Sequence, residues 1–99
     1  LRKKDRKSYT GLYQGPGIKL ELAWEPNGDP ALGSLLRMAY EYEDLILTAV
    51  PREEDVFELL EFEGQVLFAR DAEGHITGFE LWFGMPDWSP YRRWNFDKV

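Results

Sequence analysis

Carboxylates make up most of the side chains here that could do chemistry. Glu41 and Glu43 are two residues apart, as are Glu61 and Glu63. On an extended strand that spacing puts both members of a pair on one face. Paired carboxylates can perform acid–base work or hold a hard cation such as calcium. A glycosidase-like site needs such a pair across a cleft, and 99 residues leave little room for one. The plainer use of these acids is a solvated face that maintains solubility and blunts sheet edges. His75 is the only histidine. A histidine base needs a positioned partner and a metal site needs several ligands. His75 directly follows Gly74, where an exposed turn residue is expected. Asp71-Ala72-Glu73-Gly74 lacks the ligand series of a calcium loop. Ser8, Ser34 and Ser89 sit in no G-x-S-x-G elbow. With no Cys, thiol nucleophiles, disulfides and thiolate zinc sites are excluded. Gly15-Pro16-Gly17 has neither the Lys nor the helix signal of a phosphate loop. These observations lean away from an enzyme, and they assign no catalytic residue, metal ligand or cofactor.

Binding chemistry is better represented. The stretch Asp87-Trp88-Ser89-Pro90-Tyr91-Arg92-Arg93-Trp94 is rich in Trp, Tyr and Arg, the residue types most enriched at interface hot spots. A guanidinium of Arg92 or Arg93 could stack on Trp88 or Trp94. Together with Trp82, these residues form one candidate interaction set. Glu53, Glu54 and Asp55 form a second, electrostatic one. The competing use of the aromatics is to complete a core that a small domain cannot otherwise fill.

The formal charge is −6, unevenly spread. Residues 1–7 hold five bases and one acid, which reads as a basic flexible tail over 1–8. Residues 41–63 hold nine acids against Arg52 alone. So acidic a body repels phosphate backbones, which makes nucleic acid a poor partner for it. The chain has no Cys, no apolar run near the ~20 residues of a membrane span and no signal-peptide pattern. A cytoplasmic protein without membrane insertion is therefore expected.

The elements that must position these groups are mostly strands. In Ile18–Trp24, Ile18, Leu20, Leu22 and Trp24 alternate with Lys19, Glu21 and Ala23, the period of a half-buried strand. Leu35–Val50 continues in β-prone residues, with Glu43-Asp44 as a turn or bulge; a helix over residues 34–42 capped by Ser34 is the alternative, and the periodicity favours strand. Residues 52–62 predict one short helix: Pro51 suits a first turn, and Glu53, Glu54 and Asp55 complement a helix N-terminus. Residues 65–70 and 75–83 predict a hairpin around Asp71–Gly74. Gly78 inside its second strand marks a bulge or a close backbone approach. Residues 84–96, with two prolines, read as an irregular aromatic segment packed on the sheet or facing outward. The fold class is mainly β: an antiparallel meander or partly open barrel, in one domain over 9–99.

The hairpin string VLFARDAEGHITGFEL, residues 66–81, resembles the strand–turn–strand signature of a small bacterial domain family of unknown function. The matching positions are Asp71, Gly74, Ile76, Gly78, Phe79, Glu80 and Leu81. The resemblance implies a small β-rich bacterial protein and no reaction. The residues themselves lead to a non-enzymatic interaction module. It would bind a basic protein partner, or a second copy as a homodimer, through a sheet edge or the aromatic segment. The alternative is a small ligand or carbohydrate stacked on exposed Trp and Tyr.

Overall fold

Alternation of inward apolar and outward polar residues, clearest in residues 18–24, and runs of β-forming residues elsewhere give eight strands. In the computed structural model, which describes residues 6–26, 28–40, 46–83 and 92–99, these strands close a barrel. They are β1 (Gly11–Gly15), β2 (Ile18–Trp24), β3 (Leu36–Tyr40), β4 (Ile46–Glu53), β5 (Val56–Leu59), β6 (Gly64–Arg70), β7 (Ile76–Phe83) and β8 (Arg92–Lys98). Each pairs antiparallel with the next, and β8 returns to β1 through Tyr13↔Lys98 and Gln14↔Asp97. The mainly β, antiparallel expectation holds. The barrel is closed rather than partly open.

Residues 52–62 are not helical. β4 runs to Glu53, the chain reverses over Glu54-Asp55, and β5 begins at Val56. Two features reconcile the acidic sequence with this turn. The pairing slips between Pro51 and Glu53, leaving Arg52 as an extra residue in the strand. Asp55 takes φ +64°, the left-handed conformation that Asp and Asn tolerate better than most side chains. Beyond the turn, Phe57 and Leu59 point inward and are buried. A helix would have scattered them around its circumference. The sequence reading of 84–96 is likewise corrected over 92–96, which belong to β8. Here Phe96 is buried and Trp94 packs partly against the core. The Glu43-Asp44 turn lies outside the described residues.

An eight-stranded barrel has an interior just wide enough for side chains to fill. Aromatic rings fill much of this one. Phe57 and Phe68 lie 5.3 Å apart, Phe68 and Phe79 5.4 Å, and Phe79 stacks on Phe96 at 4.8 Å. At Gly78 β7 and β8 approach closely: a Cβ there would lie 2.2 Å from the Phe96 carbonyl oxygen. The expected close approach is thus real, with a register shift opposite at Ala69/Arg70.

One end of the barrel is stoppered by a 3-10 turn, Lys7–Tyr9. Its ring Tyr9 is buried, with edge contacts to Phe57 at 5.1 Å and Phe68 at 4.8 Å. Three side chains from the wall hold its backbone. Tyr13 Oη donates to the Tyr9 carbonyl, Trp24 Nε1 to the Arg6 carbonyl and Lys98 Nζ to the Ser8 carbonyl. Among the described residues no helix is long and apolar enough to cross a membrane.

Candidate functional site: an acidic, aromatic cleft on the outer wall

Among the described residues, three groupings of polar side chains bear on function. The first is at the stoppered end. Arg70, at the end of β6, donates from Nε to Asp55 Oδ2 at 2.8 Å and from Nη2 to Asp55 Oδ1 at 2.9 Å. Tyr9 Oη donates to Asp55 Oδ1 at 2.8 Å. Both charged side chains keep only about a quarter of their surface exposed, 25% for Arg70 and 22% for Asp55. Burial works to raise the Asp55 pKa, but the Arg70 and Tyr9 hydrogen bonds and the Arg70 charge outweigh it and hold the carboxyl below its usual range. Hydrogen bonding to Asp55 raises the Arg70 pKa, and burial raises that of Tyr9. The cluster fastens the Tyr9 stopper to the β4–β5 turn and to β6. It is a latch. Tyr9 and Arg70 had no signal at the sequence level, because they are 61 residues apart.

The second place is the β6–β7 turn. Asp71 Oδ1 accepts hydrogen bonds from the backbone N–H groups of Glu73 and His75. These bonds, that from His75 foremost, hold the Asp71 carboxyl below its usual pKa. His75 Nδ1 lies 3.7 Å from Asp71 Oδ2 and 3.5 Å from Glu73 Oε2, and all three residues are exposed. Asp71 therefore shapes the turn, and His75 is the exposed turn residue expected from its position.

The third place is on the outer wall. Glu58, Gln65, Trp82 and Arg93 are successive cross-strand partners from β5 to β8, so their side chains stand in one row on the side of the sheet away from the core. Glu58, Gln65 and Trp82, with Leu59, Glu63 and Gly64, line an open cleft of about 520 Å³. Trp82 is half-buried, and its indole N–H donates to Glu80 Oε2 at 2.9 Å. The Arg93 guanidinium sits 5.4 Å from the Trp82 ring centre. Arg52 pairs with Glu58 at 2.8 Å. The connection Leu60–Glu63 continues directly from the cleft and exposes Leu60 and Phe62 by 43% and 44%. It is pinned to β4, since Leu60 N donates to the Thr48 carbonyl and Thr48 N donates to Glu61 Oε1.

The expected site residues divide accordingly. Trp82 lines the cleft, and Arg93 lies beside it. Trp94 sits half-buried against the core and lines a separate recess of about 300 Å³ with Pro16, Arg93 and Asn95. Arg92 opens β8 opposite Phe83. Arg93 lies over Trp82, a pairing other than the Trp88 or Trp94 stacking expected for the aromatic stretch. Trp88 and Tyr91 lie outside the described residues, as do Glu41 and Glu43. Glu53 and Glu54 are exposed at the β4–β5 turn, whereas Asp55 is taken up in the latch. Glu58, Glu63 and Gln65 are the cleft residues the sequence did not single out. The period-two spacing of Val66 and Phe68 already implied an outward Gln65. Comparison with known protein families, curated proteins and solved structures finds no match for this chain.

Proposed function

We propose that this domain is a non-enzymatic protein-interaction module whose partner carries a basic surface. The observation that carries the reading is the exposed acidic band along β5 and its two flanking connections. Glu53 and Glu54 lie at one end of that strand and Glu61 and Glu63 at the other, with Arg52 the only base between Ile46 and Glu63. Such a concentration of one sign accelerates encounter with a basic partner and rejects acidic ones. Two further features support an external surface as the place of binding. Side chains occupy the barrel interior, and the exposed Leu60 and Phe62 give the acidic band an apolar component that a purely solubilising face does not need.

The test is a variant with Glu53→Gln, Glu54→Gln and Glu61→Gln, compared with the unchanged chain in cross-linking and affinity capture. All three positions are exposed and outside the latch, and the amide introduced by Glu61→Gln keeps an acceptor oxygen for Thr48 N. The expected result is a set of basic proteins captured by the unchanged chain, released by added salt and lost from the variant. Equal capture by both chains overturns the reading. Light scattering on the unchanged chain checks whether the partner is a second copy.

A further inference from the structure

Resting on that reading, we infer that the outer-wall cleft is built for an arginine-bearing peptide segment, with the guanidinium placed against Trp82 and an adjacent apolar residue on Leu60 and Phe62.

The argument begins with the indole. An exposed ring on a surface usually samples several orientations, but the hydrogen bond to Glu80 at 2.9 Å holds this one. A ring held in place is a preorganised platform, so less ordering entropy is lost when something stacks on it. The ring already accepts one guanidinium, that of Arg93 at 5.4 Å. Arg93 lines the neighbouring recess rather than the cleft, so it does not occupy the space that an incoming group would enter.

Charge decides the kind of occupant. Among the described residues, the charged side chains lining the cleft are Glu58 and Glu63. Glu58 is bound by Arg52 Nε at 2.8 Å, so this wall already takes one guanidinium at a carboxylate as well as one over the ring. Arginine suits such a place better than lysine, because its planar fork both stacks on aromatics and bridges carboxylates. Gln65 adds an amide able to accept from a peptide N–H. A free small cation would leave the flanking apolar surface uncovered. Leu60 and Phe62 follow Leu59 and precede Gly64 in the same connection, so a peptide can cover the cleft and the apolar pair together. The volume of about 520 Å³ lies within the range of ligand-sized clefts, roughly 300–1,000 Å³.

The test is a nuclear magnetic resonance titration of the full chain, reading the Trp82 indole N–H and the Gln65 side-chain amide. The probes are a blocked peptide of alternating arginine and leucine, its lysine and glutamine counterparts, and cellobiose. The arginine peptide is expected to shift both signals, to bind more tightly than the lysine peptide and to leave the glutamine peptide far behind. Trp82→Ala is expected to weaken it about tenfold. Gln65→Lys, an exposed change that puts a cation in the cleft, is expected to weaken it at least as much without affecting the fold. Equal binding of the arginine and glutamine peptides overturns the inference, as does indifference to both substitutions. Cellobiose shifting Trp82 where the arginine peptide does not would assign the cleft to a saccharide instead. Failure here with continued loss of partners in the Glu53, Glu54 and Glu61 variant would overturn the cleft assignment while leaving the acidic-band reading in place, since none of those three residues lines the cleft.

Discussion

The Asp55–Arg70–Tyr9 latch makes a quantitative prediction through the substitution Asp55→Asn. Asparagine keeps the size of the side chain and tolerates the left-handed φ of +64°, so backbone strain does not confound the result. What goes is the negative charge and one of the two acceptors for Arg70. A hydrogen bond to a charged group contributes about 1.5–3 kcal/mol, and breaking a fully buried ion pair costs about 3–5 kcal/mol. With roughly a quarter of each side chain exposed, 22% and 25%, partial solvation of the abandoned guanidinium places the loss toward the lower of these figures, at about 2 kcal/mol. For a domain of this size that corresponds to a fall in Tm of about 10 °C.

The pH dependence separates charge from packing. The folded state holds the Asp55 carboxyl below its usual pKa. Its stabilisation is therefore fully present above the unfolded-state value, about 3.9, and is lost as pH falls through the folded-state value. Urea unfolding of the two chains should give curves separated by about 2 kcal/mol at neutral pH that converge in acid. Asp71, whose pKa is also lowered, remains in both chains, so its own acid sensitivity cancels in the difference. A gap below about 0.5 kcal/mol at neutral pH would show that the latch contributes nothing, and an undiminished gap in acid would show that it acts through shape. A double-mutant cycle with Arg70→Gln then measures the coupling directly.

Three other perturbations probe the barrel. Gly78→Ala would put a Cβ 2.2 Å from the Phe96 carbonyl oxygen; forcing β7 and β8 apart should cost at least about 1–3 kcal/mol, read by thermal unfolding. Phe57→Ala removes a fully buried ring that touches Tyr9, Trp24 and Phe68 and should cost about 3–5 kcal/mol, enough to leave much of the chain unfolded in a denaturant titration. Ending the chain after Gly84 deletes β8, with its pairing to both β7 and β1 and the Phe96–Phe79 stack. Cooperative thermal unfolding should disappear, and a truncated chain that still melts sharply would contradict the closed barrel.

The strands that can be read from sequence are those whose signal stands alone. Ile18–Trp24 alternates cleanly between breakers, and the pair around residues 71–74 consists of β-formers flanking a short Gly-containing turn; both lie where expected. The reading fails where two signals compete. Pro51 and three successive acids imitate a helix start, yet Phe57 and Leu59 have the period of a strand. The barrel wall decides between them, because only the strand buries both side chains. In Arg93–Lys98 the alternation of Arg93, Asn95 and Asp97 against Trp94 and Phe96 is masked by the nearby Pro86 and Pro90. Closure itself is a relation between β1 and β8, at opposite ends of the chain, and no local pattern encodes it. The same holds for the latch and the cleft. Trp82 is recognisable as a binding residue by its type, but Glu58 and Gln65 join it only through the register of β5, β6 and β7.

Closure also changes which interaction surfaces are physically available. An open sheet recruits partners by adding a strand to its edge, and backbone hydrogen bonds then supply much of the affinity. Here β1 and β8 pair at Tyr13↔Lys98 and Gln14↔Asp97 and close the barrel, which narrows that route, and the recognition proposed above falls to side chains on the wall. Side-chain recognition depends on anchors that are already ordered. Trp82, held by Glu80 and covered on one side by Arg93, is such an anchor, and it borders the wall's acidic band. Asp55 belongs to that band by sequence, but its carboxylate is engaged by Arg70 and Tyr9 in the latch. On the proposed function, binding charge resides in the exposed glutamates, and stability charge in Asp55. The two can be altered independently: glutamate substitutions should change partner capture with little effect on Tm, and Asp55→Asn should lower Tm with little effect on capture. A shared response to both would mean that the acidic band is part of the folding machinery rather than a binding surface.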